Sequence, residues 1–174
     1  MGPYLILDGY NLIGALERYK NAEGFEEARD LLINDSLKAA GWTGRVMILV
    51  FDAHRGPGPE RSELRAGGAM RVVYSAAGES ADDVIERLLG ELGGAATVYT
   101  ADFALQRTAL ARGATRATPR EFADLIDELP ALTRTPRKTL RSRVYDRLPP
   151  ETLRELEGVR RRAAREPRGG PEQG

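Results

Sequence analysis

Val46-Met47-Ile48-Leu49-Val50-Phe51-Asp52 is six consecutive apolar residues closed by a carboxylate. A run this short, without polar alternation, reads as a strand buried on both faces, as in a parallel sheet. Three more segments set a carboxylate beside an apolar run. They are Leu5-Ile6-Leu7-Asp8-Gly9-Tyr10-Asn11, Ser80-Ala81-Asp82-Asp83 and Val98-Tyr99-Thr100-Ala101-Asp102. Three of the four carboxylates follow expected strands, and one opens a helix. In an open α/β sheet the strand C-termini and the neighbouring helix N-termini share one edge, where ligands bind. Asp8, Asp52, Asp82 and Asp102 are therefore expected to meet there, although the chain separates them widely. Clustered carboxylates repel unless they take up protons or cations. Hard oxygen ligands suit Mg²⁺ or Mn²⁺, the equipment of metal-dependent phosphodiester chemistry.

The rest of the chain supplies the frame for this edge. Strands are expected at 4–8, 46–51, 71–75 and 95–100, and residues 53–68, with four Gly and two Pro, read as a loop. Apolar spacing predicts a helix over 25–40, ended by Gly41 and Gly44. Another runs from Ser80 to Leu92 with Ser80 as N-cap, and a third over 103–112 ends at Gly113. Thr118-Pro119-Arg120-Glu121 combines a capping box with proline at the first helical position, so a last helix runs to about Leu129. This order of elements favours a doubly wound, mostly parallel sheet.

Charge is divided along the chain. Residues 1–133 carry 14 Lys and Arg against 20 Asp and Glu, a net of −6. Residues 134–168 carry 12 against 5, a net of +7. An acidic body with a basic extension suggests a polyanionic partner held by the extension. The expected organisation is one catalytic-type domain over 1–132, a basic and partly helical extension over 133–168, and a disordered tail over 169–174. Absence of cysteine excludes disulfides, thiolate catalysis and cysteine-bound zinc. The single histidine, His54, excludes a His-rich metal site and reads as an exposed polar residue. With neither a secretory leader nor a membrane-length apolar stretch, a cytoplasmic protein without membrane association is expected.

Each candidate has a plainer role to set against the chemical one. Asp8-Gly9 is a common turn pair, but its place at a strand end favours a site. Asn11 could cap the next segment or orient a phosphate oxygen. Asp83 falls at the capping-box position relative to Ser80, which leaves Asp82 without a structural task. Asp52 could be a solvent-exposed edge residue, and Asp102 could cap the helix after it. Tyr10 could stack on a base or simply pack. In the extension, Arg160-Arg161-Arg162 and Arg165 could pair with Glu155, Glu157 and Glu166 on a solvated helix. The basic excess favours phosphate contacts instead, with Arg137, Lys138, Arg141, Arg143, Arg160 and Arg161 as the candidate RNA-binding residues.

These motifs resemble the NYN domain of the PIN-like nuclease superfamily, and within it the YacP-like bacterial endoribonucleases. The matching stretches are Leu7-Asp8-Gly9-Tyr10-Asn11-Leu12-Ile13-Gly14, Phe25-Glu26-Glu27-Ala28-Arg29-Asp30, Val50-Phe51-Asp52-Ala53-His54, Glu79-Ser80-Ala81-Asp82-Asp83-Val84-Ile85-Glu86 and Thr100-Ala101-Asp102. They run from residue 4 to about 125. The resemblance implies a PIN-like three-layer α/β fold, Mg²⁺ or Mn²⁺ at Asp8, Asp82 and Asp102 with Asp52 close by, and Asn11 in the same site. It also implies RNA as substrate, cleaved by metal-activated water attack, with messenger RNA on the ribosome as the expected target. Ala101 stands where the family often carries serine, which implies the loss of a hydroxyl contact. Beyond about Leu132 the match lies only in basic character. Two rival readings follow from the same residues: a non-catalytic RNA- or ribosome-binding module with a residual metal site, and a nucleotide phosphatase or transferase with an Asp nucleophile. The second is weakened because Asp8-Gly9-Tyr10 lacks the second Asp that such phosphatases usually place two residues on.

Overall fold

Apolar runs and the polar or glycine breaks between them set an alternating order of strands and helices. The computed structural model describes residues 2–53 and 58–129. In chain order the elements are β1 (Tyr4–Asp8), α1 (Gly9–Ala15), α2 (Glu17–Lys20), α3 (Phe25–Thr43), β2 (Val46–Phe51), β3 (Arg61–Arg65), β4 (Met70–Tyr74), α4 (Ala81–Leu92), β5 (Ala96–Tyr99), α5 (Phe103–Ala111), β6 (Thr115–Ala117) and α6 (Pro119–Asp127). The strands form one sheet in the order β3-β4-β2-β1-β5-β6, parallel throughout except for the antiparallel β3–β4 edge.

Helices cover both faces, which explains why the central strands are uniformly apolar rather than alternating. Leu5, Leu7, Met47, Leu49, Phe51 and Tyr99 pack with Leu12, Leu32 and Phe122, from α1, α3 and α6. Ile6, Ile48, Val50 and Val98 face the other way, against Val84, Ile85, Leu88 and Leu105 of α4 and α5. The result is a three-layer α/β arrangement, as expected from the sequence. Among the described residues no helix is long and apolar enough to cross a membrane.

Several sequence expectations are corrected. Residues 53–68 are not all loop. They include β3, whose Arg-Ser-Glu-Leu-Arg composition gives no apolar signal because it is a nearly fully exposed edge strand held only by β4. The short edge strand β6 is likewise invisible in the sequence, with two of its three residues exposed. Gly41 does not end α3. The helix continues to Thr43 and stops at Gly44, whose φ of 66° needs the left-handed region that glycine adopts freely. The capping boxes at Ser80–Asp83 and Thr118–Glu121 both form, with Pro119 in the first turn of α6. His54 and Arg137, Lys138, Arg141, Arg143, Arg160 and Arg161 lie outside the described residues, as do the expected basic helical extension and terminal tail.

Candidate functional site

Register brings the strand-end carboxylates to one edge. Asp8 of β1 sits opposite Val50 of β2, and Leu7 sits opposite Tyr99 of β5. Asp52 follows β2 directly, and Asp102 follows β5 after Thr100 and Ala101, so they flank Asp8 on either side. Asp82 is the only one of the four carried by a helix, and Asp52 delivers it. The Asp52 carboxylate accepts a 2.6 Å hydrogen bond from the Ala81 amide, the first residue of α4. Asp52 is thus neither a bystander nor a simple exposed edge residue. It pins the start of α4 to the end of β2, and Asp82 is the next residue.

Asp8 is buried, only 6% exposed. The Thr100 hydroxyl donates to its Oδ2 at 2.8 Å, and the same Thr100 oxygen accepts from the Asp102 amide at 3.0 Å. The Asn11 Oδ1 accepts from the Ala101 amide at 2.7 Å. These contacts tie the segment 100–102 to β1 and α1. A hydroxyl does reach Asp8 from this segment, from Thr100, one residue before Ala101. Among the described residues the Asn11 side chain caps no helix; it crosses to the neighbouring loop. Asp102 does cap, accepting from the Leu105 amide at 2.9 Å. Asp83 is fully engaged with Ser80, accepting from its amide at 2.9 Å and its hydroxyl at 2.8 Å. Among the described residues Asp82 alone of these carboxylates has no hydrogen-bond or ion-pair partner.

The electrostatics record the crowding. Burial pushes the Asp8 carboxyl up to about 6; the Thr100 hydroxyl opposes this, while Asp82 and Asp52 push it further up. Asp82 is also raised, by partial burial first and then by Asp102, Asp52, Asp83 and Glu86. Asp83 is lowered by its bonds to Ser80. Asp8 and Asp82 are thus the two carboxyls raised by the crowding, with Asp52 acting on both and Asp102 on Asp82, whereas the Asp83 side chain is engaged in the helix cap. Among the described residues no three acidic or imidazole side chains already stand at the spacing of a closed cation cage. The match to a hard divalent cation is one of donor chemistry and unrelieved negative charge rather than of preformed geometry.

Tyr10 packs. Its ring meets Phe51 edge-on at 5.1 Å and Phe25 at 6.0 Å, and Arg29 of α3 hydrogen-bonds its hydroxyl. Gly9 shows why glycine follows Asp8. Its backbone is ordinary, but a Cβ there would strike the Phe51 ring and lie 2.8 Å from the Val50 carbonyl oxygen. The Asp-Gly pair is thus a close helix-on-strand contact rather than a turn. Gly9→Ala is expected to displace α1, costing about 1–3 kcal/mol and pulling Asn11 from Ala101. Thermal melting checks the first effect, and faster hydrogen exchange of the Ala101 amide checks the second.

Sequence reasoning missed Thr100 and Arg29. Thr100 is hidden because its hydroxyl acts across 92 residues of chain. Arg29 sits at a helix position that carries no periodic signal.

A parallel α/β sheet with a carboxylate cluster on its C-terminal edge belongs to the class of proteins that act on ligands at strand ends. A model of the YacP-like NYN domain matches residues 5–161, well past the residues on which the sequence resemblance rested. The uncharacterized protein YacP of Bacillus subtilis is 38% identical over 123 residues, 68% of this chain and 71% of that protein. A crystal structure of Rae1 (YacP) from Bacillus subtilis superposes with a TM-score of 0.58 at 30% identity, covering 92% of this chain and 84% of that one. A crystal structure of a mutant form of the same Bacillus subtilis protein gives 0.62 at 34% identity, covering 74% and 77%. The chain belongs to the YacP-like NYN domain family. That family carries the PIN-like nuclease fold, which points to an RNA-directed nuclease function.

Proposed function

We propose that this protein is a divalent-metal-dependent endoribonuclease acting in the cytoplasm on messenger RNA engaged with the ribosome. The observation that carries this reading is Asp82. It is held at the centre of a self-repelling carboxylate cluster, has no structural partner among the described residues, and keeps its position because Asp52 fixes the helix behind it. Asp8, Asp82 and Asp102 would hold Mg²⁺ or Mn²⁺, with Asp52 as the near neighbour that positions Asp82. When bound, such an ion activates water and neutralises charge on the phosphoryl oxygens during in-line displacement. Thr100 holds the buried Asp8 carboxylate in place, and Asn11 fixes the loop that carries Asp102. The basic extension, with Arg137, Lys138, Arg141, Arg143, Arg160 and Arg161, supplies phosphate contacts that carry no base specificity.

The test is cleavage of a translated messenger RNA with Mn²⁺ or Mg²⁺, in the presence and absence of ribosomes, with EDTA as the control. Cleavage that needs the cation and leaves 5′-phosphate and 3′-hydroxyl ends supports the reading. A 2′,3′-cyclic phosphate product, or cutting that survives EDTA, overturns the mechanism. RNA binding without cutting in every arm would make the protein a binding module.

A further inference from the structure

We infer that the outer face of α5 is a track for a single RNA strand, on which one unpaired base stacks against Phe103 while Arg107 meets the backbone. This rests on RNA being what reaches the carboxylates, and it names the form of RNA that does so.

Phe103 follows Asp102 directly and is 73% exposed. An exposed apolar residue alone means little, but the backbone that carries this one is fixed. The preceding segment is tied down by the Thr100–Asp8, Asp102–Thr100 and Ala101–Asn11 hydrogen bonds, and Phe103 opens a helix that Asp102 caps. An exposed ring on a fixed backbone, one residue beyond Asp102, borders the path of any strand that passes over Asp102.

The face beyond it fits the same ligand. α5 buries Leu105, Gln106 and Ala109, which leaves Phe103, Arg107 and Leu110 on the opposite side. Phe103 and Arg107 stand four residues apart and are surface neighbours. A helical side chain leans toward its helix N-terminus, so Arg107 reaches back toward Phe103 and the sheet edge. Among the described residues Arg107 is exposed and has no ion-pair partner, unlike Arg18, Arg65, Arg71 and Arg87. An unpaired cation one turn behind a projecting aromatic ring, beside an anionic cluster, suits a ligand with both a π-face and a phosphate. Single-stranded nucleic acid supplies the two at this spacing. A duplex keeps its bases inside the stack and cannot offer one to Phe103.

The experiment uses the full chain in an Asp82→Asn background, so that the probe is not consumed. A short single-stranded RNA carrying one 2-aminopurine is titrated alone and as a duplex. Stacking on Phe103 quenches the fluorophore at one position of the strand. Phe103→Ala is expected to weaken single-strand binding about tenfold and to abolish that quenching, while Phe103→Trp keeps both. Arg107→Ala is expected to weaken binding at every position and lower the salt slope by about one. Duplex affinity and the melting temperature stay unchanged in Phe103→Ala. Normal binding and quenching in Phe103→Ala overturns the inference and leaves the nuclease reading standing. So does an equal loss on duplex, or a loss confined to ribosome association, which would make the face a protein-docking surface. Failure of the unsubstituted chain to bind RNA at all removes the nuclease reading and this inference together.

Discussion

Asp82→Asn is expected to lower cleavage by about a hundredfold to a thousandfold, on the order of what removing one positioned charge costs an active site, without destabilising the fold. The two halves of this expectation come from the same geometry. Asp8 is buried and bonded to Thr100, Asp52 caps α4 and Asp102 caps α5. Replacing any of those mixes chemical and structural effects. Asp82 is exposed, accepts no hydrogen bond among the described residues, and is repelled by Asp102, Asp52, Asp83 and Glu86. Neutralising it relieves that repulsion, so the melting temperature should hold or rise slightly while activity collapses. Asp83→Ala is the mirror image. It opens the reciprocal capping box with Ser80, so melting should fall while cleavage persists. Equal activity of Asp82→Asn and the unsubstituted chain, with RNA still bound, would end the metal-nuclease reading. A loss of activity in Asp83→Ala as large as in Asp82→Asn would place the wrong carboxylate in the site.

Those two adjacent aspartates also show what the sequence makes legible. Ser80-Ala81-Asp82-Asp83 has the spacing of a capping box, and spacing alone separates the helix-capping carboxylate from the free one. The central strands are equally plain, because burial on both faces leaves an unbroken apolar run. Edge strands have no such signature. β3 is charged and exposed and exists only through pairing with β4, so nothing in its own residues announces it. α1 is hidden for a different reason. Gly9 looks like a turn residue, whereas it is small because Phe51 and the Val50 carbonyl leave no room for a Cβ. Contacts of this kind depend on register between distant segments. The Thr100 hydroxyl beneath Asp8 and the Asn11 amide oxygen on Ala101 are further examples, since they join residues 92 and 90 positions apart.

The cation-free protein is expected to lose about 3 kcal/mol through Asp8 alone as pH rises from well below about 4 to above about 6, with about 1.4 kcal/mol of that loss falling between about pH 5 and about pH 7.5. Unfolded, Asp8 titrates at its ordinary 3.8; folded, at about 6. Between those values the folded chain keeps a proton that the unfolded chain has released. Stability therefore falls as pH rises through 6, where burial and the neighbouring carboxylates act against the charged form. Asp83 and Glu121 run the opposite way. Their capping bonds lower both, so their contribution is present above their ordinary values and fades as acid protonates them, which sets the lower flank of the optimum. A divalent cation bound at the cluster reverses the alkaline loss. At about a hundred times its dissociation constant it returns about 2.7 kcal/mol, about twice the ~1.4 kcal/mol that Asp8 forfeits between about pH 5 and about pH 7.5. Mg²⁺ or Mn²⁺ should thus raise the melting temperature clearly at about pH 7.5 and little near pH 5, where Asp8 holds its proton. Asp8→Asn should flatten the pH dependence and abolish most of the cation effect. Scanning calorimetry at the two pH values, with and without cation, reads all four conditions. Cation stabilisation of the same size at both pH values, or undiminished in Asp8→Asn, would locate the ion away from this edge.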